Sequence, residues 1–396
     1  YLASSDPLPH KSGDLFYIRL DSWNPAGAFS RDHPERPPNQ VTYRDALALV
    51  QSDIPTHTTA AFHSDLFVYP EDLTQRPFET SVRLCHSGFF PMFDLPFAYG
   101  GPWDARADEG PEPMVVLDHA TNQRLFGGEN SVGRKVRLAQ TYFTVSGVLE
   151  PWRPVLKYYD VNNDANSAPE ALYIPFLHVR DMEIRTDGND MGWKDGEGEG
   201  FAGFLNSETV WIQLWAELET DEQKARYQTY LDAYTDEQRA LGRFGRPNNN
   251  WIQPMREWHE EEGVVPPESK SMMVIALLFL AVCSINLIGL LLGKFLARAP
   301  EVGVRRALGA SRRAIFLQHV VECQLLAVLG GLLGLLVSVG ALEVVGKMLL
   351  DDLILRLDLN MVGIAFLLAV VSGLVAGVYP AWRICSVAPA IHLKTQ

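Results

Sequence analysis

Cysteine is scarce where a secreted fold would use it: of four in the 396-residue chain, only Cys85 falls in residues 1–270, while Cys283, Cys323 and Cys385 lie beyond. That part therefore has no internal disulfide and must be held by a packed core, for which about 270 residues is ample. Catalytic signatures are missing too. The sequence has no Gly-x-Ser-x-Gly, no His-Glu-x-x-His, no paired Cys-x-x-Cys and no Walker motif. Gly128 to Lys135 (GENSVGRK) approaches a phosphate loop, but Arg134 replaces the lysine, no Ser or Thr follows, and a strand comes next, so the segment reads as a turn. Asp160, Asn162 and Asp164 begin like a calcium loop, yet Ala165 and Ala171 stand where Gly and Glu are needed. His259 with Glu260, Glu261 and Glu262 reads as a solvated helix face rather than a metal site. The chain is thus read as non-catalytic, with no cofactor and no metal of its own.

What is present is membrane-crossing sequence. Residues 272–296, about 317–345 and about 361–382 are apolar runs long enough to cross a hydrocarbon core of roughly 30 Å as helices. Their charges are few, which argues against ion pumping through them. The link from Lys294 to Ala314 carries Lys294, Arg298, Arg305, Arg306, Arg312 and Arg313 against Glu301, net +5, and is cytoplasmic by the positive-inside rule. The link 346–360 has net charge −1 and belongs outside. Residues 1–270 hold 24 Lys+Arg against 42 Asp+Glu, net −18 within a total of −14, so an acidic domain lies outside the cytoplasm and nucleic acid is no partner. The chain opens at Tyr1-Leu2-Ala3-Ser4-Ser5 with neither a basic nor an apolar signal region. A further membrane helix ahead of Tyr1 is expected, making four spans with the large domain between the first and second.

The outer part reads as α+β, with a strand–helix–strand unit at each end. The first is Leu15–Leu20, a helix Thr42–Val50 with Thr42 as N-cap and Asp45 at N3, and Ala60–Tyr69. The second is Glu208–Leu218, a helix opened by the Thr220/Gln223 capping box and stopped at Gly242, and Asn250–Gln253. Together these units (1–77 and 206–262) form a porter-like subdomain around a β-rich insertion, 78–205. In the insertion Val115–Leu117 and Thr141–Leu149 are strands, Asp118 caps a short helix ending at Gly127-Gly128, and the polar Gly-rich stretch from Asp160 to Gly203 is read as a flexible loop.

In the basic link, Pro300 at N1 with Glu301 beside the positive helix end starts a short amphipathic helix; Gly309 ends it and Ser311 caps the next. This basic knob suits either anionic lipid headgroups or a docked partner protein. Gly330, Gly331 and Gly334, and separately Gly373 and Gly377, give small-residue faces where helices approach closely, and Ser284 and Asn286 suit interhelical hydrogen bonds.

The segment PEVGVRRALGASRRAI (Pro300 to Ile315), the closing Tyr379-Pro380-Ala381-Trp382-Arg383 and Val387-Ala388-Pro389-Ala390 resemble the permease of MacB/FtsX-type ABC transporters. RLFGGENSVGRKVRL (Arg124 to Leu138) and FTVSGVL (Phe143 to Leu149) resemble the MacB-like periplasmic core domain. The acidic Gly-rich stretch 187–200 has no counterpart. The resemblance implies a periplasmic core domain (1–270) on an FtsX-like transmembrane domain (271–396) in the bacterial inner membrane, working as a dimer of permeases with a cytoplasmic ABC ATPase that carries ATP and Mg. It implies a coupling segment, 298–314, in which Pro300, Glu301, Val302, Gly303, Arg305, Arg306, Leu308 and Gly309 seat on the ATPase. ATP-driven movement would pass through stalks, Trp258 to Ser271, to an outer domain that meets a periplasmic adaptor and an outer-membrane channel. The same family includes regulators of cell-wall hydrolases and lipoprotein-release permeases.

Overall fold

A computed structural model describes residues 8, 10–71, 75–110, 112–154, 156–165, 167–264, 267–349 and 359–385. The chain divides into two compact units, one from Asp6 to Val264 and one containing residues 265–396.

The first unit is built on one twelve-stranded sheet among the described residues: β1 (Leu15–Arg19), β2 (Val41–Thr42), β3 (His57–Tyr69), β4 (Phe78–Cys85), β5 (Phe97–Gly100), β6 (Met114–Leu117), β7 (Lys135–Leu138), β8 (Thr141–Leu149), β9 (Leu172–Pro175), β10 (Met191–Gly192), β11 (Thr209–Glu217) and β12 (Trp251–Pro254). The main path runs β12-β1-β11-β3-β4-β9-β6-β8-β5. The principal helices are α1 (Tyr43–Leu49), α2 (His119–Phe126), α3 (Asp221–Ala240) and α4 (Met255–Glu261).

Both terminal strand–helix–strand units form, and they interlock. β11 lies between β1 and β3, antiparallel to both, and β1 lies between β11 and β12, antiparallel to both. Each unit is a split βαβ that receives a strand of the other. The local signals act as expected: Thr42 Oγ1 accepts from Asp45 N at 3.3 Å, and Thr220 and Gln223 form the reciprocal capping box. β3 spans thirteen residues and pairs with three strands, β11, β4 and, at Val68–Tyr69, β7. Its first part, His57–Ala61, pairs with β11, and Phe62–Val68 pairs with β4, so residues 78–205 continue the same sheet.

Alternation along the strands buries both faces. Phe16, Ile18, Phe62, Val82, Leu84, Leu172, Ile174 and Leu214 point to one core, with α1, α2 and α3 supplying its cover; Leu15, Tyr17, Ala61, Cys85, Tyr173 and Trp215 point to the other. The second core is covered by α4 and the segment 150–170. Trp258 of α4 is fully buried and stacks on Tyr17 with centroids 4.1 Å apart. Arg19, 2% exposed, reaches Glu261 at 2.7 Å and Gln253 at 3.2 Å and fixes α4 to β1.

The stretch from Asp160 to Gly203 is a loop only in its later part, where residues 187–199 are largely exposed turns apart from β10; its earlier part is built into the sheet core. Asp160 and Glu170 are buried, and β9 runs in the sheet core between β4 and β6. Its four residues, Leu-Tyr-Ile-Pro, lack the length that marks a strand in sequence, and its neighbours on both sides supply the burial.

Under this segment lies a buried ionic cluster. Arg83 of β4, fully buried, donates through Nη2 to Asp160 and to Glu170 (2.8 Å) and through Nη1 to Gln213 of β11 (3.0 Å). Lys157 Nζ reaches Glu170 at 2.6 Å, Tyr159 Oη donates to Glu170 at 2.9 Å, and His63 Nδ1 lies 3.2 Å from Asp160. Burial alone would raise both carboxyls, but Arg83, with Lys157, more than offsets it: Glu170 is pulled down to about 2 and Asp160 well below the usual carboxylate range.

Removing one partner of such a cluster strands the opposite charge. Arg83→Ala should therefore destabilise this unit by roughly 3–5 kcal/mol, seen as a lower urea midpoint by tryptophan fluorescence of the purified protein. The depressed carboxyl pKa has a defined sign in pH. The stabilisation from Glu170 is complete above the unfolded value of 4.5 and is lost as pH falls from 4.5 toward 2. The urea midpoint should fall across that window, and Glu170→Gln should flatten the slope; an unchanged slope would contradict the assignment.

Candidate functional site at the basic end of the membrane helices

The second unit contains α5 (Pro267–Ala297), α6 (Ala299–Ala307), α7 (Arg312–Leu349) and α8 (Leu359–Cys385). Three of these include stretches long and apolar enough to cross a membrane: Ser271–Ala297, Arg312–Ala341 and Val362–Cys385. The outward link expected at 346–360 and the closing motif 387–390 fall largely or wholly outside the described residues.

The stretch expected as a stalk, Trp258 to Ser271, includes the ends of two helices. α4 ends at Glu261, Gly263 turns the chain with φ +68°, and α5 begins at Pro267. Trp258 belongs to the core of the first unit, held by Tyr17 and Arg19.

α6 is the amphipathic helix of the basic link. Pro300 occupies its second position rather than its first, Glu301 and Arg305 pair at 2.7 Å one turn apart, and Gly309, φ +101°, closes it. Ser311 Oγ then accepts from Ala314 N at 3.2 Å and caps α7. One side of α6 is pinned. Ala299 and Val302 are buried, Val302 in a small core with Leu291, Phe295, Ile315, Ala381 and Ile384, so α6 is held by the ends of α5, α7 and α8 together. Arg306 Nη1 donates to Cys385 O at 3.3 Å, tying it to the end of α8.

The opposite side is open and apolar. Pro300, Val304 and Leu308 follow one another at helical spacing, and Val304 is 53% and Leu308 84% exposed. In the sequence, the charges of Arg305 and Arg306 mask Val304. It is recognisable by its spacing of four from both Pro300 and Leu308. Gly303 has no atom within 4 Å of where a Cβ would stand. The eight residues thus divide: Val302 anchors, Arg306 ties, Glu301 and Arg305 pair, Gly309 terminates, Gly303 leaves open space beside it, and Pro300 and Leu308 face outward.

The small-residue positions divide as well. A Cβ on Gly373 would collide with Ala327 of α7, one on Gly377 would lie 2.7 Å from Cys323 Cβ, and one on Gly331 would meet Ala369 Cβ at 3.4 Å. Gly330 and Gly334 do not pack against other described residues: a Cβ there meets nothing within 4 Å among them, and both line an open groove. Ser284 Oγ of α5 and Ser372 Oγ of α8 lie 2.6 Å apart, whereas Asn286 is exposed. Gly373→Val and Gly377→Val should each lower the thermal stability of the detergent-solubilised protein, by roughly 1–3 kcal/mol of overpacking, whereas Gly334→Ala should leave it unchanged or slightly raised.

Comparison with known proteins follows the same division of the chain. The family model described as MacB-like periplasmic core domain matches residues 2–233, and that described as FtsX-like permease C-terminal matches residues 273–389. The chain is 24% identical over 338 residues to the macrolide export ATP-binding/permease protein MacB of Syntrophobacter fumaroxidans, covering 78% of this chain and 46% of that protein. It is 24% identical over 318 residues to the pyoverdine export ATP-binding/permease protein PvdT of Pseudomonas aeruginosa, covering 78% and 42%. The chain therefore spans less than half the length of these relatives. The crystal structure of the periplasmic region of MacB from Actinobacillus actinomycetemcomitans superposes with a TM-score of 0.40 at 13% identity, covering 66% of this chain and 97% of that one.

Proposed function

Since this chain belongs to the MacB/FtsX-type family of ABC transporter permeases, we propose that it couples ATP hydrolysis by a cytoplasmic ABC ATPase to conformational change in its outer domain, for export of a substrate from the periplasmic side of the inner membrane. The observation that carries the coupling role is the apolar ridge Pro300–Val304–Leu308 on a helix anchored from behind by Val302. A leucine 84% exposed at the C-cap of a short, firmly held helix is a surface that gains from being covered. α6 lies in the strongly basic link, which the positive-inside rule assigns to the cytoplasm, where such an ATPase resides.

ATP and Mg would be bound by the ATPase, and the permease would act as a dimer. Movement imposed on α6 passes into α5, α7 and α8 together, because its buried side is shared by the ends of all three. Tight helix contacts at Gly373 and Gly377 suit a lever that moves as a body better than a conducting pore. The export part of the reading is supported by relatives whose names state macrolide or pyoverdine export, and the adaptor and outer-membrane channel are the partners such export requires.

The coupling role is tested with Val304→Asp combined with Leu308→Asp. Loss of two apolar anchors should weaken assembly with the ATPase by roughly 2 kcal/mol or more, lowering both its co-purification and the ATPase activity measured in the complex. Undiminished co-purification and activity would defeat the coupling role. Crosslinking in native membranes tests the export part separately. Recovery of an adaptor with the ATPase supports it, and recovery of a wall hydrolase without an adaptor overturns it in favour of a regulatory permease.

A further inference from the structure

Lys294, Arg298 and Glu322 meet where α5 and α7 approach at the basic end. Lys294 Nζ lies 2.6 Å from Glu322 Oε1, and Arg298 Nη1 lies 3.7 Å from the same oxygen. One carboxylate thus faces two cations, and both are substantially exposed, at 40% and 51% of the side chain. The pair is under-neutralised, with N–H donors remaining for another anion. Arg305, 50% exposed and paired with Glu301, stands nearby through its contact with Gln318, one turn before Glu322.

An apolar groove of about 540 Å³ adjoins this cluster, bounded by α5, α7 and α8. Its lining includes Leu291, one turn before Lys294, and Cys323, next to Glu322, so along α5 and α7 the charged group lies just beyond that end of the lining. Farther along, Gly330 and Gly334 line it with no side chain of their own to fill it. A basic cluster just beyond one end of an apolar furrow, on the side of the basic link, matches one amphiphile in charge and shape.

We propose that this is a binding site for an anionic phospholipid, with the headgroup phosphate on Lys294 and Arg298 and one acyl chain in the groove along Gly330 and Gly334. The inference rests on the membrane reading of these helices and not on the ATPase-coupling role, so each can fail alone. Glu322 competes with the phosphate for the two cations. Its charge sets the affinity, and removing it strengthens binding.

The test is native mass spectrometry of the detergent-purified full chain titrated with dioleoylphosphatidylglycerol, dioleoylphosphatidylcholine or glycerol phosphate. The expected result is retention of phosphatidylglycerol in preference to phosphatidylcholine, and no retention of glycerol phosphate at the same concentration. Lys294→Ala with Arg298→Ala should weaken phosphatidylglycerol about thirtyfold. Gly330→Leu, which fills the groove where a side chain meets no neighbour, should weaken both lipids. Glu322→Gln should tighten phosphatidylglycerol, a gain that misfolding cannot mimic. Equal retention of the two lipids, or an unchanged affinity in the double variant and in Glu322→Gln, would overturn the proposal. Retention of glycerol phosphate as strong as that of the lipid would reduce the site to a bare anion site. A peptide helix crosslinked along Gly330 and Gly334 in native membranes would show the groove to be a helix seat and overturn it as well.

Discussion

The guanidinium of Arg83 is the constraint around which the outer unit is arranged. It rises from the middle of the sheet into a core otherwise made of Tyr17, Phe89, Trp215 and Trp258, a setting in which an uncompensated charge would be prohibitive. Its partners come from distant parts of the chain: Gln213 from β11, and Asp160 and Glu170 from the segment that crosses over the sheet. That crossing is what allows β9 to enter between β4 and β6. The same segment presents the Tyr158 carbonyl to His259 at 2.8 Å and the Tyr159 carbonyl to Trp215 at 3.3 Å, so α4 and β11 are seated against a strap that the arginine holds. His63, Asp160 and Glu170 bring ligand-type atoms within 4.8 Å of one another, but the positive charge a metal would supply is already provided by Arg83 and Lys157.

At the membrane helices the organising force is different. Nothing is gained there by hiding leucine from lipid, and the contacts that matter are close approaches at Gly331, Gly373 and Gly377, together with the Ser284–Ser372 hydrogen bond. The polar interactions collect at the basic end, where Val302 buries the underside of α6 and Glu322 gathers the neighbouring cations.

Much of this is legible in sequence because the responsible signals are local. Apolar length marks the spans, Thr42, Asp118 and Thr220 mark helix starts, and Gly242 and Gly309 mark helix ends, each through a backbone need that one residue meets. What escapes is non-local. No pattern in Leu172–Pro175 declares a strand, since its neighbours in the sheet come from residues 82–85 and 116–117. Asp160 looks like a solvated loop residue until Arg83 is placed opposite it. Sequence spacing likewise cannot separate Gly330 and Gly334, which face a groove, from Gly373 and Gly377, which touch α7; that depends on which neighbour occupies each side. The apolar ridge of α6 is intermediate: its period is visible, but its openness depends on Val302 being the side that is buried.

The length of β3 bears on how the outer unit carries force. Its first half is laced to β11 and its second half to β4. A pull along its axis therefore loads two hydrogen-bonded ladders in shear, where many bonds must yield together, instead of peeling one ladder apart bond by bond. β3 is a strand common to both ladders, so tension along it is shared between the end units and the residues inserted between them.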